Sequence, residues 1–334
     1  MNITKTFIPL TNNKYLENLQ IPTGRIPLII DTDAKNETDD QFAIAWALLT
    51  PERFDVQAVY AAPFSYDCIK PGIPNWESHP NLSKDWTPKK GMIASYAEIK
   101  HIYTLLGLNP EGKVFYGADC YMTEHNAPVE SEAVADLIHR ARTSQQTLYI
   151  AAIGAITNIA SAISLAPDII NKIVVVWLGG ELPESHNGME FNMMQDVLAS
   201  QTILNCGVPL IWIPCRKVAS SLTLSRLETE KVLVKKNPLC DYLADLILNA
   251  MNMDEDWENK PHTPESTRIV WDIAAIAALA LPDSVTSKLI HAPILNDDLS
   301  LEESESRHMI RMATSCNRDM IFHAMYAKLL NPIK

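Results

Sequence analysis

Between residues 26 and 213, short apolar runs alternate with longer stretches of helical periodicity. Strands that are apolar on both faces and alternate with helices indicate a largely parallel sheet covered by helices on both sides. The predicted strands are Ile26–Ile30, Val56–Ala62, Val114–Tyr116, Thr147–Ile153, Ile173–Leu178 and Pro209–Ile213. The predicted helices are Gln41–Leu49, Met92–Leu106, Ser131–Ala141, Asn158–Ser164 and Val197–Asn205.

The last third of the chain is richer in helical patterns. It predicts helices over Leu224–Val234, Leu239–Asn252 and Thr267–Leu281, then a strand over Arg307–Thr314 and a closing helix over Asp319–Leu330. Two stretches near 63–90 and 253–266 break the rhythm, and loops of this length are usually lids, binding loops or disordered segments. Because no segment of the sequence has the composition of an interdomain linker, we expect one α/β domain over residues 1–334. Its sheet should be mostly parallel, doubly wound and Rossmann-like, with extra C-terminal helices.

Composition and charge narrow the possible partners. The chain has 334 residues, 47% of them apolar, and a formal net charge of −12. A surface this acidic argues against nucleic acid and anionic membranes, and it fits a cation site or a neutral small substrate. No run of 18 apolar residues and no apolar core of a signal peptide occur, so we predict a cytoplasmic protein without a membrane span. The six cysteines form no CxxC pair, which favours a reduced compartment over a zinc or disulfide framework.

Four aspartates follow the first predicted strand within ten residues: Asp31, Asp33, Asp39 and Asp40. In open α/β sheets, ligands bind at the carboxyl ends of the strands. Crowded carboxylates repel one another unless a cation neutralises them, and calcium takes six to eight oxygen ligands. The cluster therefore predicts a site for a hard divalent ion. The alternative is structural, since Asp39 and Asp40 are also residues that favour a helix N-terminus.

This acidic segment resembles the DxDxxxDD signature of the inosine–uridine-preferring nucleoside hydrolase family, and further resemblances follow in the family's order. Gly154-Ala155-Ile156-Thr157-Asn158 is similar to its GPLTN turn, and Leu178-Gly179-Gly180 to its MGG. Asn187, then Glu190-Phe191-Asn192 with Asp196, resembles its N…EFN…D block. Asp272, beside Trp271, resembles its late metal-binding aspartate. The resemblance implies an enzyme that hydrolyses the N-glycosidic bond of a small-molecule ribonucleoside.

The same resemblance implies a role for each matching residue. Calcium would be held by Asp33, Asp40, the Thr157 carbonyl and Asp272, and it would also bind ribose hydroxyls and the attacking water. Asp33 would be the general base, and Asp31 would lie behind the ligands. The positions that match ribose-binding residues are Asp39, Asn187, Glu190, Asn192 and Asp272. The structural alternatives are that Thr157 and Asn158 cap the following helix and that Asn187 and Asn192 are ordinary loop residues.

Two departures from the family pattern put the site's efficiency in doubt. Asp33 and Asp39 stand two positions further apart than in the family, and Ala34-Lys35 replaces Pro-Gly. The loop must therefore bulge, and Lys35 must point away or weaken the metal site. Where the family often has an asparagine after its second strand, this chain has Ala61-Ala62-Pro63, so that contact is missing or supplied by Ser65.

The tryptophan at position 271, directly before Asp272, resembles the purine-preferring branch of the family, in which tryptophans stack on the departing base. Trp76 or Trp86 could form the other face of such a sandwich, and His186 is a candidate proton donor. The alternative is that Trp271 belongs to the core and the loop tryptophans only anchor the loop, because aromatic residues usually serve packing.

Three other functions stay open. One is hydrolysis of a modified or unusual ribosyl compound. The second is a calcium-dependent ribose-binding protein that has lost turnover. The third is a phosphatase with Asp31 as nucleophile and magnesium as cofactor, against which the later motifs count. The assembly is left open between a monomer and a homo-oligomer, either a dimer or a tetramer.

Overall fold

The computed structural model describes residues 12–66, 86–124, 127–253 and 266–332. Its strands are β1 Ile26–Thr32, β2 Phe54–Ala61, β3 Val114–Tyr116, β4 Leu148–Ala152, β5 Ile173–Leu178, β6 Leu210–Ile213, β7 Thr223–Ser225, β8 Thr267–Ile269, β9 Val285–His291, β10 Ile294–Leu295, β11 Leu301–Glu302 and β12 Met309–Cys316. Its helices are α1 Asn12–Asn18, α2 Asp40–Leu48, α3 Pro88–Leu105, α4 Glu132–Thr143, α5 Thr157–Leu165, α6 Phe191–Gln195, α7 Val197–Asn205, α8 Arg226–Val232, α9 Pro238–Met253, α10 Ile273–Ala280 and α11 Arg318–Leu329.

Eight strands form the central sheet in the order β3-β2-β1-β4-β5-β6-β12-β9. All neighbours are parallel except β9, which runs antiparallel to β12 at one edge. The chain builds outward from β1 to β3 and then returns to the other side of β1 with β4. Beyond the carboxyl ends of β1 and β4, this reversal leaves the crevice where open α/β sheets bind ligands. The predicted mostly parallel, doubly wound sheet is confirmed.

The sheet is buried on both faces because its strands are apolar on both faces. All seven residues of β1 are buried, including Asp31 and Thr32 near its end. One core contains Leu28 and Ile30 of β1 with side chains from α2, α3, α9, α10 and α11. A second core on the opposite face contains Ile29 of β1 with side chains from α4, α5 and α7. Helices therefore cover both sides of the sheet, as the hydrophobic pattern predicts.

The C-terminal third differs from the sequence prediction. The predicted helix over Thr267–Leu281 is wrong, because Thr267–Ile269 is strand β8, paired with β7, and α10 begins only at Ile273. Leu224–Val234 divides in the same way between β7 and α8. Short strands paired with each other satisfy backbone groups that the apolar periodicity alone assigns to a helix. The edge strand β9 was not predicted, and only its first residue, Val285, is buried, as is typical of an edge position.

The two predicted long loops are described only at their ends. Residues 62–66 continue from β2 without regular structure, and Thr87 caps α3 by accepting a hydrogen bond from the Lys90 N–H. At the second, α9 ends at Met253 and β8 begins at Thr267. In the part of the chain that the structure describes, no helix is both long and apolar enough to cross a membrane.

Candidate active site

The carboxyl end of β1 delivers the first acidic residues to the crevice. Asp31 points backward: its Oδ1 accepts a hydrogen bond of 2.8 Å from Asn158 Nδ2, and its Oδ2 is buried with no hydrogen-bond partner among the described residues. Burial raises the pKa of Asp31 to about 7, partly offset by the Asn158 hydrogen bond. Asp31 does not line the cavity described below, in keeping with its predicted place behind the ligands.

Four further carboxylates converge at the switch point: Asp33 after β1, Asp39 and Asp40 at the start of α2, and Asp272 before α10. None is more than 5% exposed. Asp39, Asp40 and Asp272 each offer an oxygen within 4.8 Å of the other two. The helix start at α2 contributes a favourable field for negative charge, but it does not balance four buried carboxylates.

The hydrogen bonds of this cluster argue against a purely capping role. Neither Asp39, at the N-cap of α2, nor Asp272, at the N-cap of α10, makes a side-chain cap hydrogen bond. Instead, Asp39 Oδ2 accepts from the Asp272 N–H at 3.2 Å, which ties the two helix starts together. Asp40 accepts a hydrogen bond from the Thr32 hydroxyl, and Asp33 Oδ2 is buried without a hydrogen-bond partner among the described residues.

The pKa values of the cluster show its electrostatic strain. Burial, reinforced by neighbouring carboxylates, raises the pKa of Asp33, Asp39 and Asp272 well above the ordinary value. For Asp33 the largest contribution from a neighbour comes from Asp40, and for Asp272 it comes from Asp39. Burial also raises the pKa of Asp40 to about 7. A positive charge among these groups would reverse the shifts, because it favours the ionised form.

The turn after β4 packs directly against Asp33. A Cβ on Gly154 would lie 2.9 Å from Asp33 Oδ1, closer than real side chains approach, so this position needs glycine. Thr157 begins α5 and is fully buried, and its hydroxyl donates to Asp196 Oδ2 at 2.7 Å. Thr157 is not among the residues that line the cavity. Asn158 binds Asp31 and the Ala118 N–H, so it links the turn to β1.

The block after β5 forms the opposite wall. Glu190 caps α6: its Oε2 accepts from the N–H groups of Gly180 at 2.6 Å and Met193 at 3.0 Å, and its Oε1 from that of Asn192 at 3.0 Å. Asn192 Nδ2 donates to the Leu178 carbonyl at 3.0 Å. Gly180 has a φ of +69°, which suits glycine, and its N–H aims at Glu190 as a result. Asn187 is exposed, with Oδ1 accepting from the Met189 N–H.

These walls enclose a cavity of about 440 Å³. It is lined by Asp33, Asp39, Asp40 and Asp272, and also by Asn187, Glu190, Asn192 and Trp271. The structure thus brings every predicted site residue except Thr157 to one cavity. Trp271 is partly buried: it packs against one hydrophobic core and also lines this cavity.

Three other sequence candidates lie elsewhere. Trp86 stacks on Phe64 with ring centres 5.1 Å apart, and neither ring lines the cavity. His186 is exposed with a left-handed backbone and is not a lining residue. The backbone N–H of Ser65 donates to Gln195 Oε1 at 2.8 Å, and Ser65 does not reach the cavity. Trp76 lies outside the described residues.

The sequence did not single out several cavity residues: Asn36, Glu37, Glu181, Met189, Phe191, Met194, Cys215 and Arg216. Glu181 is the third residue after β5, and Cys215 and Arg216 come two and three residues after β6. A search at the carboxyl ends of the strands would therefore have found them. Arg216 Nε lies 3.3 Å from Glu181 Oε1. Burial raises the pKa of Glu181 to about 7, against the lowering effect of Arg216.

The fold is that of solved nucleoside hydrolases. The purine-preferring ribonucleoside hydrolase from Gardnerella vaginalis superposes with a TM-score of 0.66 at 20% identity, covering 91% of this chain and 98% of that one. The inosine-uridine preferring nucleoside hydrolase from Bacillus anthracis superposes with a TM-score of 0.64 at 15% identity, covering 92% and 100%. The family model for inosine-uridine preferring nucleoside hydrolase matches residues 28–323, and the chain belongs to that family.

Curated relatives match over shorter segments of the chain. A probable uridine nucleosidase 2 of Arabidopsis thaliana is 24% identical over 140 residues, 41% of this chain and 43% of that protein. An uncharacterized protein of Schizosaccharomyces pombe is 25% identical over 170 residues, 49% of this chain and 53% of that protein. The chain thus spans about half the length of the curated relatives it matches.

Proposed function

We propose that this protein hydrolyses the N-glycosidic bond of ribonucleosides in a calcium-dependent reaction, giving ribose and a free base. The observation that carries the proposal is the group of four buried carboxylates at one end of the cavity. Family membership supports the same reaction, because all the site residues proposed from the family's motifs except Thr157 line this cavity.

The donor set suits calcium. Asp40 and Asp272, which together with Asp39 offer oxygens within 4.8 Å of one another, would supply carboxylate oxygens along with Asp33. The Thr157 carbonyl is the proposed fourth protein ligand, and calcium binds a variable number of oxygen ligands. Asp33 Oδ2 is buried and makes no hydrogen bond within the described part of the chain, and this oxygen and the raised pKa values fit a site that is completed by a cation. A bound calcium ion would orient and polarise a water molecule and hold ribose hydroxyls.

Asp33 is the proposed general base. Its Oδ2 makes no hydrogen bond with the described residues, so this oxygen is free to accept a proton from water. The Gly154 turn passes close to the other oxygen, Oδ1, and leaves no room for even a methyl group there, which limits the directions open to the carboxylate. A base held in place in this way needs little reorganisation during the reaction.

The remaining polar residues are proposed to hold the sugar. Asp39 and Asn192 are buried at the cavity wall, and Asn187 lies at its exposed rim. Glu190 accepts three backbone N–H groups, which fixes the Gly180 turn. Because it also lines the cavity, it would contact the sugar there. Negative charge beneath the ribose stabilises the oxocarbenium-like transition state of glycoside cleavage.

The base is proposed to lie against aromatic and thioether side chains. Trp271 and Phe191 both line the cavity, with Met189 and Met194 as further apolar contacts. We propose Phe191 as a second aromatic contact, because Trp86 does not line the cavity and Trp76 lies outside the described residues. The larger face of a purine gains more from such contacts than a pyrimidine does, so we propose a preference for purine ribosides.

The cellular location and the binding partners are proposed from the sequence alone. The acidic charge and the lack of long apolar runs support a cytoplasmic enzyme with a free ribonucleoside as its partner, and without nucleic acid or membrane. A homo-oligomer, dimer or tetramer, stays an open prediction.

A nucleoside screen tests the proposal. Purified protein with calcium is incubated with a panel of purine, pyrimidine and modified ribonucleosides, and chromatography follows both free base and free ribose. Equal release of base and ribose from at least one nucleoside is expected. If the protein binds ribose but releases no base, the result would support a ribose-binding protein that has lost turnover. If only modified nucleosides are cleaved, the result would support a hydrolase of modified ribosyl compounds.

A further inference from the structure

Lys35 lies in the lengthened loop between β1 and α2, yet it turns away from the cavity. Its Nζ lies 3.2 Å from Glu98 Oε2 on α3, and its backbone N–H donates to Ser95 Oγ at 3.3 Å. Ser95 and Glu98 are three residues apart, so they occupy the same face of α3. Two side chains of α3 therefore hold Lys35: Ser95 binds its backbone N–H, and Glu98 pairs with its ammonium group.

Glu98 is buried although it carries a carboxylate. Its Oε1 accepts from Gln41 Nε2 at 3.3 Å and from the Tyr242 hydroxyl. Gln41, in the first turn of α2, also donates through the same nitrogen to the Ala34 carbonyl at 2.6 Å. One carboxylate thus joins the loop, α2 and α9, and a buried carboxylate is stable only when paired in this way.

The same loop faces the cavity on its other side. Asn36 and Glu37 line the cavity, and the Asn36 N–H donates to the Asp33 carbonyl at 2.7 Å. Asp33 comes directly before Ala34 and Lys35, the residues that α2 and α3 hold in place, and Asp39 and Asp40 come after them. The position of Ala34 and Lys35 therefore influences the distances and orientations of these aspartates relative to one another.

We propose that Glu98 is a positioning residue of the active site. It holds the two-residue extension of the acidic loop outward through Lys35 and Gln41, and it thereby sets the separation of Asp33 from Asp39 and Asp40. Groups behind a metal site that orient its ligands commonly affect metal affinity or activity by about 10- to 100-fold. The inference rests on the proposed function only for its effect on catalysis, because the anchoring itself needs no ligand.

Glu98→Gln is the informative variant. The glutamine Oε1 can still accept from Gln41 and Tyr242, while its amide replaces the oxygen that pairs with Lys35. Tyr242→Phe is the matched control, since it removes a hydrogen bond from the same carboxylate on the α9 side and leaves the loop contacts in place. Lys35→Met removes the ion pair from the loop side and keeps Glu98 intact.

Hydrogen exchange of the backbone amides of residues 34–40 is measured first, in metal-free protein, together with the melting temperature. Faster exchange of this segment is expected in Glu98→Gln and Lys35→Met, with little further effect in the double variant, and no change in Tyr242→Phe. Calorimetric titration with calcium should then show a dissociation constant raised about tenfold in Glu98→Gln. When a nucleoside that the wild-type protein cleaves is the substrate, the kcat of Glu98→Gln at saturating calcium should be lower than that of the wild type.

Unchanged exchange in both loop variants, or an equal change in Tyr242→Phe, would overturn the proposal. Should Glu98→Gln fail to fold, Lys35→Met decides the question alone. Failure of the proposed function is separate: wild-type protein would cleave no nucleoside, while the exchange measurement would still report whether Glu98 anchors the loop.

Discussion

At the scale of single residues, Asp33 is the most telling group in the site. It is buried, one of its oxygens has no hydrogen-bond partner among the described residues, and three other carboxylates of the cavity act on its pKa. Such an arrangement is costly for a folded protein and persists at functional sites. The charge is most simply balanced by the cation that the surrounding oxygens would bind.

Asp33→Asn tests the role of this residue. An amide cannot accept the proton from water, so turnover at saturating calcium should fall by about 100-fold or more. The melting temperature of the metal-free protein should not fall, because an amide has nearly the same shape as the carboxyl and is spared the cost of burying an ionisable group. Asp55→Asn, at an exposed surface carboxylate, is the control with normal turnover. Near-normal hydrolysis by Asp33→Asn would remove Asp33 from the role of base.

Trp271 decides the proposed preference for purines. Trp271→Phe should lower the ratio of kcat/KM for inosine to that for uridine by several-fold, about 1 kcal/mol, because a smaller ring stacks less well on a two-ring base. The melting temperature is measured alongside, so that a packing defect is recognised. A wild-type preference for uridine, or an unchanged ratio in the variant, would show that the indole only shapes the wall.

The sequence predicted the acidic residues of the site but not their full surroundings. Asp33, Asp39 and Asp40 could be found because carboxylates at strand and helix ends are conspicuous, and Asp272 because it resembles the family's late aspartate. Glu98 was not, because it lies inside a helix whose pattern marks it as an ordinary polar residue. Its partners are separated from it by 57 to 144 residues, and only the fold brings them together.

At the scale of elements, short turns at the strand ends position the site. The Gly179-Gly180 turn after β5 is one, since Gly180 has a positive φ and donates its N–H to Glu190. The start of α10 is another. A continuous apolar pattern over Thr267–Leu281 predicted one helix, but β8 pairs with β7 first, and Asp272 consequently stands at the helix start rather than within it. That pairing depends on a distant strand, which local periodicity does not reveal.

Gly180→Ala tests the turn after β5. A methyl group there would meet Met193 Cε at 2.4 Å in addition to the strain of the positive φ. Gly24→Ala is a matched control, because Gly24 also has a positive φ but no atom within 4 Å of the added carbon. Chemical denaturation should show Gly180→Ala less stable than Gly24→Ala by about 1–3 kcal/mol. Equal losses in the two variants would mean that Met193 yields freely and that the turn is not tightly packed.

At the scale of the whole molecule, buried acid links stability to pH. Unfolded carboxyls lose their protons at about pH 4. In the folded, metal-free protein, Asp31 and Asp40 keep theirs up to about pH 7. The folded state then binds more protons than the unfolded state in this window, so the free energy of unfolding falls as pH rises.

Thermal unfolding in chelator should therefore give a lower melting temperature at pH 8 than at pH 5.5. Added calcium should raise the melting temperature more at pH 8, because at pH 5.5 protons compete for the same oxygens. Asp40→Asn, which removes one of these titrating groups, should flatten the pH dependence and reduce the calcium effect. A calcium effect that is independent of pH in the wild-type protein would contradict binding at this cluster.

The central claim is that this cluster makes the chain a calcium-dependent nucleoside hydrolase. Its most direct test is a continuous record of base release from the best nucleoside of the screen, with excess chelator added midway and calcium then restored in excess. The account predicts steady release, an arrest after the chelator, and recovery of the original rate with calcium, whereas Asp272→Asn should show little release throughout. Release that continues unchanged in chelator, or an Asp272→Asn variant with the wild-type rate and response, would contradict it.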